Sequence, residues 1–299
     1  MGKSSRSSFL APVAVALLLA GCGSDGFEDE FPPNLLGVWF ADETFVAVGE
    51  NYSIANSYNG RDFYEQAAAR EGALAAVSYG DGVWFAAGED GFLATSDDSS
   101  NWYLDFLPTG RTMRGAAYGN GAYVVVGEEG LIFRSANAGS WGFEDSETLE
   151  QLDDVVFAEG RFVAVGFAGT ILTSTDGRDW TAQDSGTTAD FFGVGHGQGL
   201  FVAVGRNGTI ALSENGNDWT NVAPTTAANL RDVAIAEGAI VVVGTGGTIL
   251  SSTNDGNTFV ARDSHTAHDL EGVAWGDGLF VAVGRSAEIV NSEEGLFWY

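Results

Sequence analysis

Cysteine, lysine and histidine are nearly missing from this 299-residue chain, and each scarcity removes a class of explanation. The single cysteine, Cys22, excludes an internal disulfide framework, so packed side chains must hold the fold. Lysine appears once, at Lys3, and 13 basic residues stand against 41 acidic ones, a formal net charge of -28. Nucleic acid and anionic lipid are poor partners for such a surface. Acid excess without lysine is also what proteins of salty water often show, so habitat or solubility accounts for it without a cation site. The three histidines, His196, His265 and His268, show no zinc spacing, and no P-loop, dinucleotide fingerprint or serine-centred elbow occurs. No run has the apolar spacing of a helix, which excludes helical solenoids.

What is present is a repeat. The tetrapeptide V-A-V-G, or a near copy, ends at Gly49, Gly88, Gly127, Gly166, Gly205, Gly244 and Gly284, in five steps of 39 residues and one of 40. The fourth copy shows the unit clearly: β-rich runs at Leu152 to Phe157, Phe162 to Val165, Thr170 to Ser174 and Asp179 to Gln183, separated by Gly-containing turns. Four short strands per unit make a meander, and seven meanders make a ring. The expected fold is all-β, a seven-bladed β-propeller of four-stranded antiparallel blades spanning residues 35–299.

The turn between the third and fourth runs reads Ser-Thr-Asp-Gly-Arg-Asp-Trp at Ser174 to Trp180, and recurs from Ser213 to Trp219 and from Ser292 to Trp298. Asp or Asn accepts hydrogen bonds from its own turn, Gly supplies a positive φ, and the aromatic packs between blades. This motif resembles the Asp-box, or BNR, repeat of sialidases, sortilin-type receptors and photosystem II assembly factors. Over residues 35–299 the chain is similar to bacterial proteins of the photosystem II assembly-factor-like class. That class is defined by its repeat and implies a fold more than a reaction.

Ahead of the repeats, residues 1–21 read as a lipoprotein signal peptide, with Lys3 and Arg6 before an apolar stretch, Phe9 to Ala20, too short to span a membrane. Leu19, Ala20, Gly21 and Cys22 match the lipobox of bacterial lipoproteins. The resemblance implies cleavage before Cys22 and three acyl chains, more than the two signals that stable anchoring needs. Gly23 after the cysteine favours an outer-membrane address where the cell has one. Residues 22–34 form an acidic tether that reaches about 45 Å fully extended. Phe27 to Phe31 either pairs beside the C-terminus, closing the ring at a clipped last blade, or is part of a loose leash.

Candidate site residues are those where the repeat stops repeating. The turns between second and third strands read acidic in the first three blades, at Glu50, Glu89 and Glu128, and carry Arg206 and Arg285 in the fifth and seventh. At the start of the inner strands stand Leu36, Ala75, Arg114, Asp153, Phe192, Arg231 and Glu271. The inter-blade loops add Arg70, Arg111, Asp190 and the run Asp263 to Asp269. His265 and His268 in that run are read as a solvated loop and not a metal site. His196 occupies an aromatic column and is expected to pack.

An enzyme is not expected. The arginine triad of a sialidase usually begins in Arg-Ile-Pro, which is absent, and carboxylate pairs are uninformative among 41 acids. The expectation is a lipid-anchored, extracytoplasmic scaffold, without metal or cofactor, that binds a protein or envelope component. A carbohydrate-binding protein or glycosidase is the alternative, with Phe167, Phe192 and Trp84 as its candidate exposed aromatics.

Overall fold

In the computed structural model the described residues are 33–67, 72–236 and 238–299. They form seven antiparallel sheets, six of four strands and one of three, each strand bonded to its neighbours in chain order. The innermost strands are Leu35–Ala41, Leu74–Gly80, Met113–Gly119, Leu152–Ala158, Phe191–Gly197, Leu230–Ala236 and Leu270–Gly276. Each packs against the inner strand of the next blade, and the seventh packs on the first, so the ring is closed. The seven-bladed propeller read from the 39-residue period is the observed fold.

The second strand of each blade carries the tetrapeptide. Phe162 to Val165 is fully buried, as are Phe201 to Val204 and Phe280 to Val283. Apolar clusters join adjacent blades: Val124, Val126 and Ile132 of the third blade pack with Leu152, Phe162 and Trp180 of the fourth. The glycine that ends the tetrapeptide is required by space and not by torsion. A Cβ at Gly88 would lie 1.9 Å from the Ala73 carbonyl, and one at Gly166 1.9 Å from that of Gln151. Those carbonyls accept the next N–H of the turn, from Glu89 and Phe167 respectively, so each turn is stitched to the loop entering its own blade.

The Asp-box turns lie on the opposite face. Asp176 Oδ1 accepts the N–H of Arg178 and Asp179, Ser174 Oγ accepts that of Gly177, and Trp180 donates Nε1–H back to the Gly177 carbonyl. The aromatic packs between blades, as the sequence implies.

The last blade has three strands. Its third, Ile289–Ser292, pairs on one side with Leu279–Gly284, and among the described residues its outer side is met by Tyr299 alone, which exchanges two backbone hydrogen bonds with Asn291 at 3.0 and 3.1 Å. Cys22, the rest of the lipobox and Phe27 to Phe31 lie outside the described residues, as does Arg70.

Candidate site at the channel mouth

All seven inner strands carry the same irregularity. Leu152 pairs with Gly166 and Asp154 with Val165, so Asp153 is an extra residue with no partner opposite it. The same slip leaves Leu36, Ala75, Arg114, Phe192, Arg231 and Glu271 unpaired in the other blades. A bulge bends its strand and re-aims a side chain. These seven residues, named in sequence as the divergent positions, all line one central cavity of about 390 Å³. The bulge frees them from the pairing that keeps the rest of the repeat uniform.

Their charges interlock. Arg114 lies 3.6 Å from Glu128 and 3.9 Å from Asp153. Glu271 lies between two arginines, 3.2 Å from Arg231 and 3.3 Å from Arg285, and Arg285 also meets Asp269 at 3.3 Å. Arg206 pairs with Asp190, and the Arg231 guanidinium lies 5.1 Å from the centre of the Phe192 ring. Arg114 Nε, Arg231 Nε and Asp153 Oδ2 are buried without a hydrogen-bond partner in the protein. Burial pushes the Asp153 carboxyl up to about 6, against the hydrogen bond from Gln151 and the attraction of Arg114 and Arg231.

The structure thus sorts the sequence candidates into two groups. Arg206 and Arg285, read as basic positions, are each matched by carboxylates, so blades five and seven present no net positive patch. Glu50 and Glu89 have no ion pair among the described residues and leave the first two blades acidic. Glu128 is held by Arg114, and its neighbour Glu129 by Arg111.

Two residues at the cavity escaped the sequence reading. Asp154 and Asp232 are half-buried, and each spans two blades. Asp154 accepts the N–H of Val155 in its own blade and of Val194 in the next; Asp232 does the same for Val233 and Val273. Burial holds both carboxyls above the usual range, Asp232 at about 6, and the Asp232 charge raises Asp154 further. The available signal was a column otherwise of glycine and alanine: Gly37, Ala76, Gly115, Gly193 and Gly272.

Among the aromatics proposed for sugar stacking, Trp84 is in the core, 1% exposed, because its ring packs on Tyr79. Only Phe167 and Phe192 remain, edge to face at 6.3 Å. His196 packs on Phe201 at 4.4 Å, and burial lowers its pKa. His265 and His268 take different partners: His265 faces Asp263, and His268 Nδ1 lies 2.9 Å from Glu288. Among the described residues no three His, Cys, Asp or Glu side chains converge as a metal would require.

A closed seven-bladed ring of Asp-box blades, with its divergent side chains gathered at one mouth, defines an Asp-box β-propeller. Residues 28–272 match the family described as photosynthesis system II assembly factor YCF48, and the chain belongs to that family. It is similar in structure to YCF48 bound to a D1 peptide, with a TM-score of 0.71 and 18% identity, covering 87% of this chain and 92% of that one. It also resembles YCF48 from Cyanidioschyzon merolae, with a TM-score of 0.61 and 16% identity over 75% of this chain and 84% of that one. The computationally designed Ika8 protein gives 0.65 and 13%, covering 88% and 85%. At these identities the likeness is one of fold. No curated protein matches the chain.

Proposed function

We propose that this protein is a non-catalytic scaffold that receives an extended segment of a partner protein across the channel mouth. The observation that carries the reading is the sevenfold bulge, which turns the most variable residue of every repeat into one shared cavity. A family structure holding a D1 peptide supports a protein ligand for this fold. The acidic turns at Glu50 and Glu89 suit basic residues of the partner, and the Phe192–Arg231 shelf, with Leu36 and Ala75 elsewhere on the same cavity wall, suits apolar side chains. Asp154 and Asp232 are poor candidates for acid–base chemistry, because both oxygens of each already accept backbone N–H groups.

The scaffold is tethered outside the cytoplasm through lipid on Cys22, in the outer membrane where the cell has one. The sequence Leu19-Ala20-Gly21-Cys22 supports this placement. Globomycin-sensitive processing and acyl labelling lost in Cys22→Ser are the expected results, and unchanged processing contradicts the anchor. For the mouth, affinity purification from native membranes should recover a discrete protein that a variant with Glu89, Glu128, Arg206 and Arg285 changed to Ala loses. Retention on a glycan array with no protein partner would favour the carbohydrate reading instead.

A further inference from the structure

The rim of the first three blades departs from the repeat. Tyr64, Tyr103, Leu104, Phe106 and Phe143 stand on their outer strands, Tyr64–Ala67, Tyr103–Phe106 and Trp141–Glu144, each between 43% and 62% exposed. Strand pairing gives the equivalent positions in blades four to six. The column of Leu104 and Phe143 continues as Ala182, Asn221 and Ala261. The column of Tyr64 and Tyr103 continues as Gly142, Thr181, Thr220 and Val260. The fold is built without an aromatic at either place, so blade packing does not account for these side chains. Contiguous exposed apolar surface of this kind marks a binding site.

Alternation along the strands sorts the five between two blade junctions. Phe92 and Ala94 pack on Val46 and Ile54 of the first blade, so their partners Phe106 and Leu104 face that blade. Tyr64 faces back toward them, since its partner Asn56 bonds to Ser99 of the second blade. Leu93 packs with Phe133 of the third blade, which puts Asp105, paired with Leu93, and Tyr103, two residues before it, on the opposite side of the strand. There Phe143 stands edge to face on Phe133 with ring centres 6.1 Å apart, above half-buried Trp141. One junction is thus apolar, and the other sets two exposed rings beside a carboxylate.

No cation among the described residues neutralises this rim. Asp105, and Asp145 just past Phe143, are exposed and make no ion pair. The described arginines of these blades are engaged elsewhere: Arg61 with Glu293, Arg111 with Glu129, Arg114 with Glu128 and Asp153, and Arg134 with the Asp176 carbonyl. Exposed rings beside an unpaired carboxylate select a cationic side chain. A second copy of the chain brings a net charge of -28 and the same carboxylates, and an anionic lipid surface is repelled in the same way.

We infer that the rim of the second blade is a second docking surface, for a basic segment of another protein with apolar residues beside its cations. A Lys or Arg head lies over Tyr103 or Phe143 next to Asp105, and a neighbouring apolar side chain packs on Tyr64, Leu104 and Phe106. None of these residues lines the central cavity, so the rim and the mouth can be occupied together.

The probe is a fluorescein-labelled peptide of Leu-Arg-Ser repeats, its binding followed by anisotropy at physiological salt. Matched peptides with Glu for Arg, or Ser for Leu, should bind more weakly. Tyr103→Ser with Phe143→Ser leaves the charge unchanged and should weaken the Leu-Arg-Ser peptide about tenfold. Asp105→Asn, which keeps an acceptor for the Phe106 N–H, should weaken it about threefold. Val260→Ser on the far rim and Glu89→Ala at the mouth should not. All these side chains are exposed, and an unchanged melting temperature checks that each variant is folded. Equal binding by the wild type and the Tyr103/Phe143 variant means general attraction to an acidic protein and overturns the inference, as does no binding. A dimer in sedimentation that Phe143→Ser dissolves assigns the patch to a second copy and overturns it too.

Discussion

Asp154 and Asp232 stand in a column where the other repeats have Gly or Ala, and each carboxylate reaches the backbone of the following blade. Their burial has a consequence for stability. Asp153 and Asp232 titrate at about 6 in the fold, against 3.8 for an ordinary aspartate. Between those values the native state binds more protons than the unfolded chain, so their effect is a loss of stability as pH rises from about 4 to 6. Asp98, in an Asp-box turn, works in the opposite direction. The N–H groups of Asn101 and Ser100 and the Asn101 side chain hold it at about 2, so its contribution is complete above the ordinary value and is lost as pH falls toward 2. Thermal melting followed from pH 2 to 8 should therefore fall at both ends. Asp232→Asn should flatten the upper limb and Asp98→Ala the lower. An upper limb unchanged in Asp232→Asn would contradict the assignment. Asp153 was legible in the sequence because it stands among divergent mouth residues. Asp154 and Asp232 were not, because their role depends on a neighbouring blade's backbone that no local pattern reveals.

Strand ends and turns carry the ring's packing. A Cβ at Gly119 would lie 1.9 Å from the Phe157 ring of the next blade, whereas one at Gly110 meets nothing within 4 Å. Gly119→Ala should therefore lower the denaturation midpoint clearly and Gly110→Ala barely, a contrast readable by urea unfolding. Equal effects would mean that the inner strands do not meet in this register. Trp180, 6% exposed between blades three and four, should cost about 3–5 kcal/mol when cut to Ala. These elements were largely legible: V-A-V-G marked the second strand and Ser-x-Asp-Gly, or Ser-x-Asn-Gly, the outer turn. The bulge was not. Because all seven repeats contain it, the period stays at 39 residues, and only strand pairing shows one residue too many. Trp84 misled for a different reason: the second strand is buried on both faces, so Trp84 to Ala87 are all in the core.

For the whole molecule, 41 acidic residues against 13 basic ones mean self-repulsion that packing must overcome. Salt at about 1 M, which shortens the screening length to about 3 Å, should raise the melting temperature. A fall would show that the ion pairs at the mouth outweigh that repulsion. The architecture was readable from period alone. The distribution of charge over the mouth was not, because Arg206 and Arg285 are matched by carboxylates brought in from loops and inner strands. The most direct test of a partner-binding mouth is site-specific photo-crosslinking in native membranes. A photoreactive residue is placed at Glu89 or Arg285 on the mouth, or at Asn59 or Asp218 in the opposite-face turns. Adducts to one protein from the mouth positions alone are predicted. Adducts chiefly from Asn59 and Asp218, or none from any position, would contradict it.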